Sequence, residues 1–84
     1  MERYTAREGN EVRVQPERLE QALDRLARFE DMVQGLDREQ EEIARRLEQL
    51  RGQGREKTVQ FRELLAQKLT NQNMKLLLER WNIR

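Results

Sequence analysis

Two long stretches of the chain repeat apolar residues at the spacing of an α-helix. In the first stretch, Ile43, Leu47 and Leu50 are separated by four and three residues. The second stretch has the same kind of spacing, with steps of four positions from Phe61 to Leu65 and from Leu65 to Leu69. Residues three or four apart lie on one face of a helix. The pattern therefore predicts two helices, each with an apolar stripe.

Two glycines, Gly52 and Gly54, separate these helices. Glycine costs a helix interior about 1 kcal/mol relative to alanine, and it readily takes the left-handed conformation that ends a helix. A short connection favours antiparallel neighbours. We therefore predict an all-α fold built on an antiparallel helical hairpin over residues 16–84, with a first arm at 16–51, a turn at 52–54 and a second arm at 55–84. One uninterrupted helix is the alternative.

The first arm is expected to begin at Pro16, because the fixed φ of proline suits the first helical turn. Its apolar stripe stays in phase through Gly35, which predicts one helix of about 35 residues. A break near Gly35 is the alternative, since Asp37 and Gln40 have the spacing of a capping box. The residues expected to form the core of this arm are Leu19, Ala22, Leu23, Leu26, Phe29, Met32, Val33 and Leu36.

Gln40 is the one polar residue on the part of the stripe that runs from Phe29 to Leu50. A buried polar residue at such a position can fix the register between helices. Alternatively, the glutamine bends its amide to water. The sequence leaves both interpretations open.

The first fifteen residues differ from the rest of the chain. Val12 and Val14 alternate with Arg13, as in a half-buried strand, and Glu8-Gly9-Asn10 is a turn signal. This pattern predicts a short β-hairpin over residues 1–15. Because an isolated two-stranded hairpin is marginal in water, a loose or disordered arm is the alternative.

The second arm is the most apolar third of the chain, and Thr58 is a candidate for its N-terminal cap. Leu76, Leu77 and Leu78 are consecutive, so their directions span about 200° around a helix, more than one hairpin partner can cover. This predicts an interface with another copy, with Trp81 as an anchor or, alternatively, as part of the hairpin's own core. The predicted interface residues are Leu65, Leu69, Met74, Leu77, Leu78 and Trp81.

Four residues of middling to poor helix propensity, Thr70-Asn71-Gln72-Asn73, interrupt the apolar pattern of the second arm. A kink or break is compatible with them. They are expected to form a polar outer face or a hydrogen-bonded cluster between the helices. The competing interpretation is that these amides recognise a nucleic acid or a protein partner.

Composition supports an assembly rather than a large core. The chain has 84 residues, of which 39% are charged and only 5% are aromatic, as in helical bundles and coiled coils. A two-helix hairpin of this size buries one side of each helix, so a homo-oligomer, either dimer or tetramer, is expected to complete the core. Residues 1–51 hold ten Arg and thirteen Asp or Glu, a balance of −3, whereas residues 52–84 hold seven basic and three acidic residues, a balance of +4.

The absence of histidine and cysteine bears on chemistry. It removes the usual zinc ligands, thiolate nucleophiles and the commonest proton-transfer group near neutral pH. The acidic residues Glu39, Glu41 and Glu42 are interleaved with arginines, which argues against a metal site. We expect no catalytic, cofactor or metal site, and hence no enzyme. No apolar run approaches the ~20 residues of a membrane span, and we expect a cytoplasmic protein.

The segment Ala22–Asp31 resembles the signature A-L-x-R-L-A-x-(Y or F)-E-D of small uncharacterised helical proteins from Gram-positive bacteria and their prophages. The family's T-G-L-T-P-E-E continuation is similar to residues 34–40 here, after two extra residues and with Arg38 in place of the proline. The resemblance implies a prophage-type origin and no defined activity.

Taken together, these features predict a non-enzymatic, self-associating helical module with a structural or protein-interaction role. The alternative is a small nucleic-acid-associated regulator that uses the basic second helix. The interleaved acidic residues make nucleic acid the less favoured partner.

Overall fold

The computed structural model describes all 84 residues, and it contains the two expected helices and the N-terminal β-hairpin. The chain forms two compact units, Met1–Met32 and Val33–Arg84, and the boundary between them falls within the first helix. The elements are strand β1 at Thr5–Glu8, strand β2 at Glu11–Val14, a 3₁₀ turn at Pro16–Arg18, helix α1 at Leu19–Gly52 and helix α2 at Val59–Arg80.

The strands pair antiparallel through a two-residue loop, Gly9-Asn10. Gly9 has a φ of 61°, whereas Asn10 is not among the residues with positive φ. A glycine with positive φ at the first loop position is the pattern of a type II′ turn, which matches the twist of paired strands. The predicted turn and hairpin are therefore present.

Two glutamates, Glu8 and Glu11, face each other across the end of this hairpin. Like charges in that position destabilise a pair of strands. Arg13 lies against both of them, with Nε 3.5 Å from Glu8 and Nη2 2.9 Å from Glu11. One guanidinium thus offsets the repulsion.

Tyr4 attaches the N-terminal segment to α1. Its ring packs against two guanidinium groups, with the Cζ atoms of Arg18 and Arg25 lying 4.4 Å and 4.1 Å from the ring centroid. Arg25 also donates a 3.1 Å hydrogen bond to the carbonyl of Glu2, and Arg18 lies 3.2 Å from the Glu2 carboxylate. These contacts give the otherwise marginal hairpin a helix to pack on.

Helix α1 continues through Gly35 for 34 residues, as the in-phase stripe predicted. Nothing lies within 4 Å of the position that a Gly35 Cβ would occupy, so no close approach requires this glycine. The apolar stripe alternates steps of three and four along the whole helix once Ala22 is included. Its members are Leu19, Ala22, Leu26, Phe29, Val33, Leu36, Gln40, Ile43, Leu47 and Leu50.

The bend closes with a Schellman motif around Gly54. The amide of Arg55 donates to Leu50 O at 2.8 Å and that of Gly54 donates to Arg51 O at 3.0 Å, while Gly54 has a φ of 69°. These two bonds satisfy carbonyl groups at the end of α1. Helix α1 extends one residue further than predicted, to Gly52.

Thr58 caps α2, as predicted. Its Oγ1 atom accepts a 3.2 Å hydrogen bond from Phe61 N and donates to Arg55 O at 2.8 Å. The cap fixes the first helical residue as Val59. The connection therefore runs from residue 53 to residue 58, longer than the predicted turn, because residues 55–58 form the capped approach to the helix.

The apolar core of the second unit lies beside the bend. Leu47 is its most buried member, with 1% of its surface exposed. Farther from the bend, Leu36 on α1 and Leu78 on α2 are also buried. The cluster comprises Ile43, Leu47, Leu50 and Phe61, with Leu64 and Leu65 packed against it.

Candidate functional site

Helix α2 is apolar on more than one side. Phe61 and Leu78 are buried, whereas Leu69, Leu76 and Trp81 expose 60%, 59% and 71% of their surface. The run of three leucines shows the division most clearly, because Leu78 is buried while its two predecessors are exposed. A helix that is apolar beyond one stripe is expected to be covered on those other sides as well.

The six residues predicted as an interface fall into two groups. Leu69, Met74, Leu77 and Trp81 are exposed, so their side chains are available to a partner. Leu65 packs partly against the core cluster, and Leu78 is buried within the hairpin. The predicted interface does not include Leu76, which belongs to the same leucine run and is as exposed as Leu69.

A second exposed apolar surface lies on the first turns of α1. Leu19, Leu23 and Leu26 were expected to be core residues, yet each remains about half exposed. The N-terminal segment contacts α1 through Arg18 and Arg25 and leaves these leucines uncovered. Apolar spacing identified the stripe, but it does not say which part of a stripe its own chain covers.

The two helices of the second unit are joined by an amide cluster, which consists of Gln40, Gln67 and Asn71. Asn71 Nδ2 donates to Gln40 Oε1 at 3.1 Å, Gln67 Nε2 donates to Asn71 Oδ1 at 3.1 Å, and Gln40 Nε2 donates to the carbonyl of Lys68 at 3.2 Å. Asn71 is only 1% exposed, and no buried side-chain polar atom lacks a partner. Gln40 thus bonds across the hairpin instead of turning to water, and Asn71 belongs to an interhelix cluster.

An ion cluster at the far end of the hairpin centres on Asp37. Its Oδ1 atom lies 2.8 Å from Lys75 Nζ and 2.6 Å from Arg84 Nη2. Hydrogen bonds from Lys75 and then Arg84 lower the pKa of the Asp37 carboxyl below its ordinary value. Asp37 is therefore an ion-pair residue within a continuous helix and caps no helix.

The end of α2 brings Arg84 to this cluster. Asn82 has a φ of 59°, and its amide donates to Glu79 O, while Ile83 N donates to Leu78 O, both at 3.0 Å. This is a second Schellman motif, with asparagine in the left-handed position. Arg84 follows this motif directly, and its side chain donates to Asp37 at 2.6 Å.

Two open depressions border Tyr4, and both are lined largely by polar and charged side chains. No three acidic side chains come close enough together to hold a metal ion. Neither helix has the long apolar stretch that crossing a membrane requires.

The chain was compared with protein-family models, with curated proteins and with solved structures, and no match was found in any of the three.

Proposed function

We propose that the chain is a non-enzymatic, self-associating helical module with a structural or protein-interaction role, of the prophage-type origin that residues 22–31 imply. The observation that carries the proposal is the exposure of Leu69, Leu76 and Leu77 on the 22-residue helix α2 and of Trp81 at its C-terminal cap. Apolar side chains at this density are typical of surfaces that another protein covers.

Comparison of the free energy of apolar burial with the cost of association indicates that α2 alone would associate weakly. Full burial of a large apolar side chain contributes about 1.5–3 kcal/mol, so covering the exposed parts of these four residues would contribute about 3–7 kcal/mol. Association costs about 4–15 kcal/mol in lost translational and rotational freedom. Burial of Leu19, Leu23 and Leu26 in the same assembly supplies the additional apolar area.

Solution mass measured by light scattering over a wide range of protein concentration tests the proposal. We expect a dimer or tetramer that dissociates on dilution. The double variant Leu76→Glu/Leu77→Glu should have a lower mass with unchanged helicity, because both side chains are exposed in the chain. Its matched control is Gln53→Glu/Gln60→Glu, which adds the same two charges at exposed positions beside the bend, away from the face of Leu69 and Leu76. A wild-type monomer at every concentration would contradict the proposal.

The alternative function, nucleic-acid binding by the second arm, makes a different prediction. It requires binding of DNA or RNA at low salt that weakens steeply as salt rises. Two of the basic residues in this arm, Lys75 and Arg84, already pair with Asp37. Fluorescence anisotropy with labelled duplex and single-stranded oligonucleotides distinguishes the two functions. Salt-dependent binding that persists in Leu76→Glu/Leu77→Glu would favour the alternative.

A further inference from the structure

The exposed stripe on α1 has an acidic residue at one end. Leu19 and Leu26 are seven residues apart and therefore lie on the same side of the helix, each about half exposed. Glu30 follows Leu26 by four residues on that side, and it is exposed. Leu19, Leu26 and Glu30 are called the α1 stripe below.

The exposed surface of α2 contains a stripe with the same spacing and the opposite charge. Leu69 and Leu76 are seven residues apart, and Arg80 follows Leu76 by four residues. Both leucines and the arginine are exposed. Leu69, Leu76 and Arg80 are called the α2 stripe below.

The two stripes have equal spacing along the helix axis and opposite charges. In each, the leucines are about 10.5 Å apart along the helix axis and the charged residue lies about 6 Å beyond the second leucine. If two helices run parallel, Leu19 meets Leu69, Leu26 meets Leu76 and Glu30 meets Arg80. Neither Glu30 nor Arg80 forms an ion pair within its own chain.

We propose that the α1 stripe of one copy binds the α2 stripe of a second copy, in parallel and in this register. The occupant is a second copy because one chain carries both complementary surfaces, with a balance of −3 over residues 1–51 and +4 over residues 52–84. Opposite charges at the ends of matched apolar stripes fix register and suppress other alignments. The inference rests on the proposed self-association and adds the faces, the direction and the register.

A charge exchange tests this register. Glu30→Arg and Arg80→Glu should each raise the dissociation constant of the assembly about tenfold, because each replaces an attractive pair with a repulsive one. The double variant Glu30→Arg/Arg80→Glu should return to within about threefold of the wild type, since the pair is restored with reversed polarity. Sedimentation equilibrium measures the constants, and circular dichroism verifies that helicity is unchanged.

Two controls use equivalent charge changes elsewhere. Asp31→Arg makes the same change one residue away, about 100° around the helix, and should leave the dissociation constant unchanged. Glu30→Arg/Arg55→Glu carries the same charges as the restoring double variant and should stay weakened, because Arg55 lies exposed in the connection between the helices. Restoration by Arg55→Glu, or none by Arg80→Glu, would overturn the inference in a protein that still self-associates. A monomeric wild type would overturn the proposed function itself.

Discussion

Asn71 on α2 donates a 3.1 Å hydrogen bond to the side chain of Gln40 on α1, 31 positions earlier in the chain. The pair lies between the apolar cluster beside the bend and the ion cluster at Asp37. A one-residue slip of either helix would turn one of these amides away from its partner. The hydrogen bond therefore specifies one alignment of the two helices, as single polar core residues do in coiled coils.

Replacing Asn71 with alanine should destabilise the protein by about 1–3 kcal/mol, because Gln40 Oε1 and Gln67 Nε2 then lose a buried partner. Urea denaturation measures the change in the free energy of unfolding. Asn73→Ala removes the same side chain at an exposed position of the same helix and should cost less than about 0.5 kcal/mol. Equal effects of the two substitutions would show that the amide cluster contributes nothing specific.

The double variant Gln40→Leu/Asn71→Leu separates stability from alignment. Replacing both polar partners with apolar residues is often neutral or stabilising. We expect a free energy of unfolding at least as large as that of Asn71→Ala. The amide resonances in NMR spectra should nevertheless be broader, because the apolar pair accepts more than one register. Sharp, single resonances would indicate that the apolar stripes alone fix the alignment.

Gly54 and Gly52 provide a matched test of the bend. Gly54→Ala should cost about 1 kcal/mol or more, because its φ of 69° places an alanine Cβ in the disfavoured left-handed region. Gly52 is helical with open space around its Cβ position, so Gly52→Ala should stabilise by up to about 1 kcal/mol. Thermal and urea unfolding show whether each substitution raises or lowers the free energy of unfolding. A stabilising Gly54→Ala would contradict the Schellman geometry.

The ion cluster predicts a specific dependence of stability on pH. The folded pKa of Asp37 lies below its value in the unfolded chain, since Lys75 and Arg84 donate hydrogen bonds to the carboxylate. Its contribution is therefore fully present above the unfolded pKa and is lost as the pH falls through the folded pKa. Asp37→Asn should melt at a lower temperature than the wild type at neutral pH, and the difference should vanish in acid.

Melting curves recorded from neutral pH into acid follow this difference. Arg84→Gln provides the control for the cluster, because it removes one of the two donors to Asp37. Adding it to Asp37→Asn should lower the melting temperature less than it does in the wild type. Additive effects of the two substitutions would show that the pair is not coupled in solution.

Trp81 is the only tryptophan and is 71% exposed in the single chain, so its fluorescence reports on association. If a second copy covers it, the emission maximum should move to shorter wavelength as protein concentration rises, in parallel with the mass. Leu76→Glu/Leu77→Glu should keep the long-wavelength emission at all concentrations. An increase in mass without a spectral shift would place Trp81 outside the interface.

The features that the sequence predicted well depend on neighbouring residues. The turn at Gly9, the cap at Thr58 and the left-handed Gly54 follow from rules that span two to five positions. The continuity of α1 through Gly35 followed from an apolar stripe that stays in phase.

The features that the sequence could not predict depend on which face of α1 contacts which face of α2. The bonds from Asn71 to Gln40 and from Arg84 to Asp37 join residues 31 and 47 positions apart. Spacing of 100° per residue gives the relative directions of Leu76, Leu77 and Leu78, but it does not say which of them faces α1. For that reason the predicted interface includes Leu78, which is buried in the structure.

The position of the apolar cluster beside the bend has a consequence for folding kinetics. Leu50 and Phe61 meet across a short loop, whereas the amide cluster and then the ion cluster close progressively longer ones. The entropic cost of closing a loop grows with the length of the loop, and local contacts speed folding. The hairpin should therefore form rapidly, with the contacts beside the bend forming first and those farther away forming later. Opening would begin at the opposite end, which carries Trp81. The end of α2 that carries the proposed anchor is thus the end that frays first, and a second copy bound there would slow that fraying without touching the core.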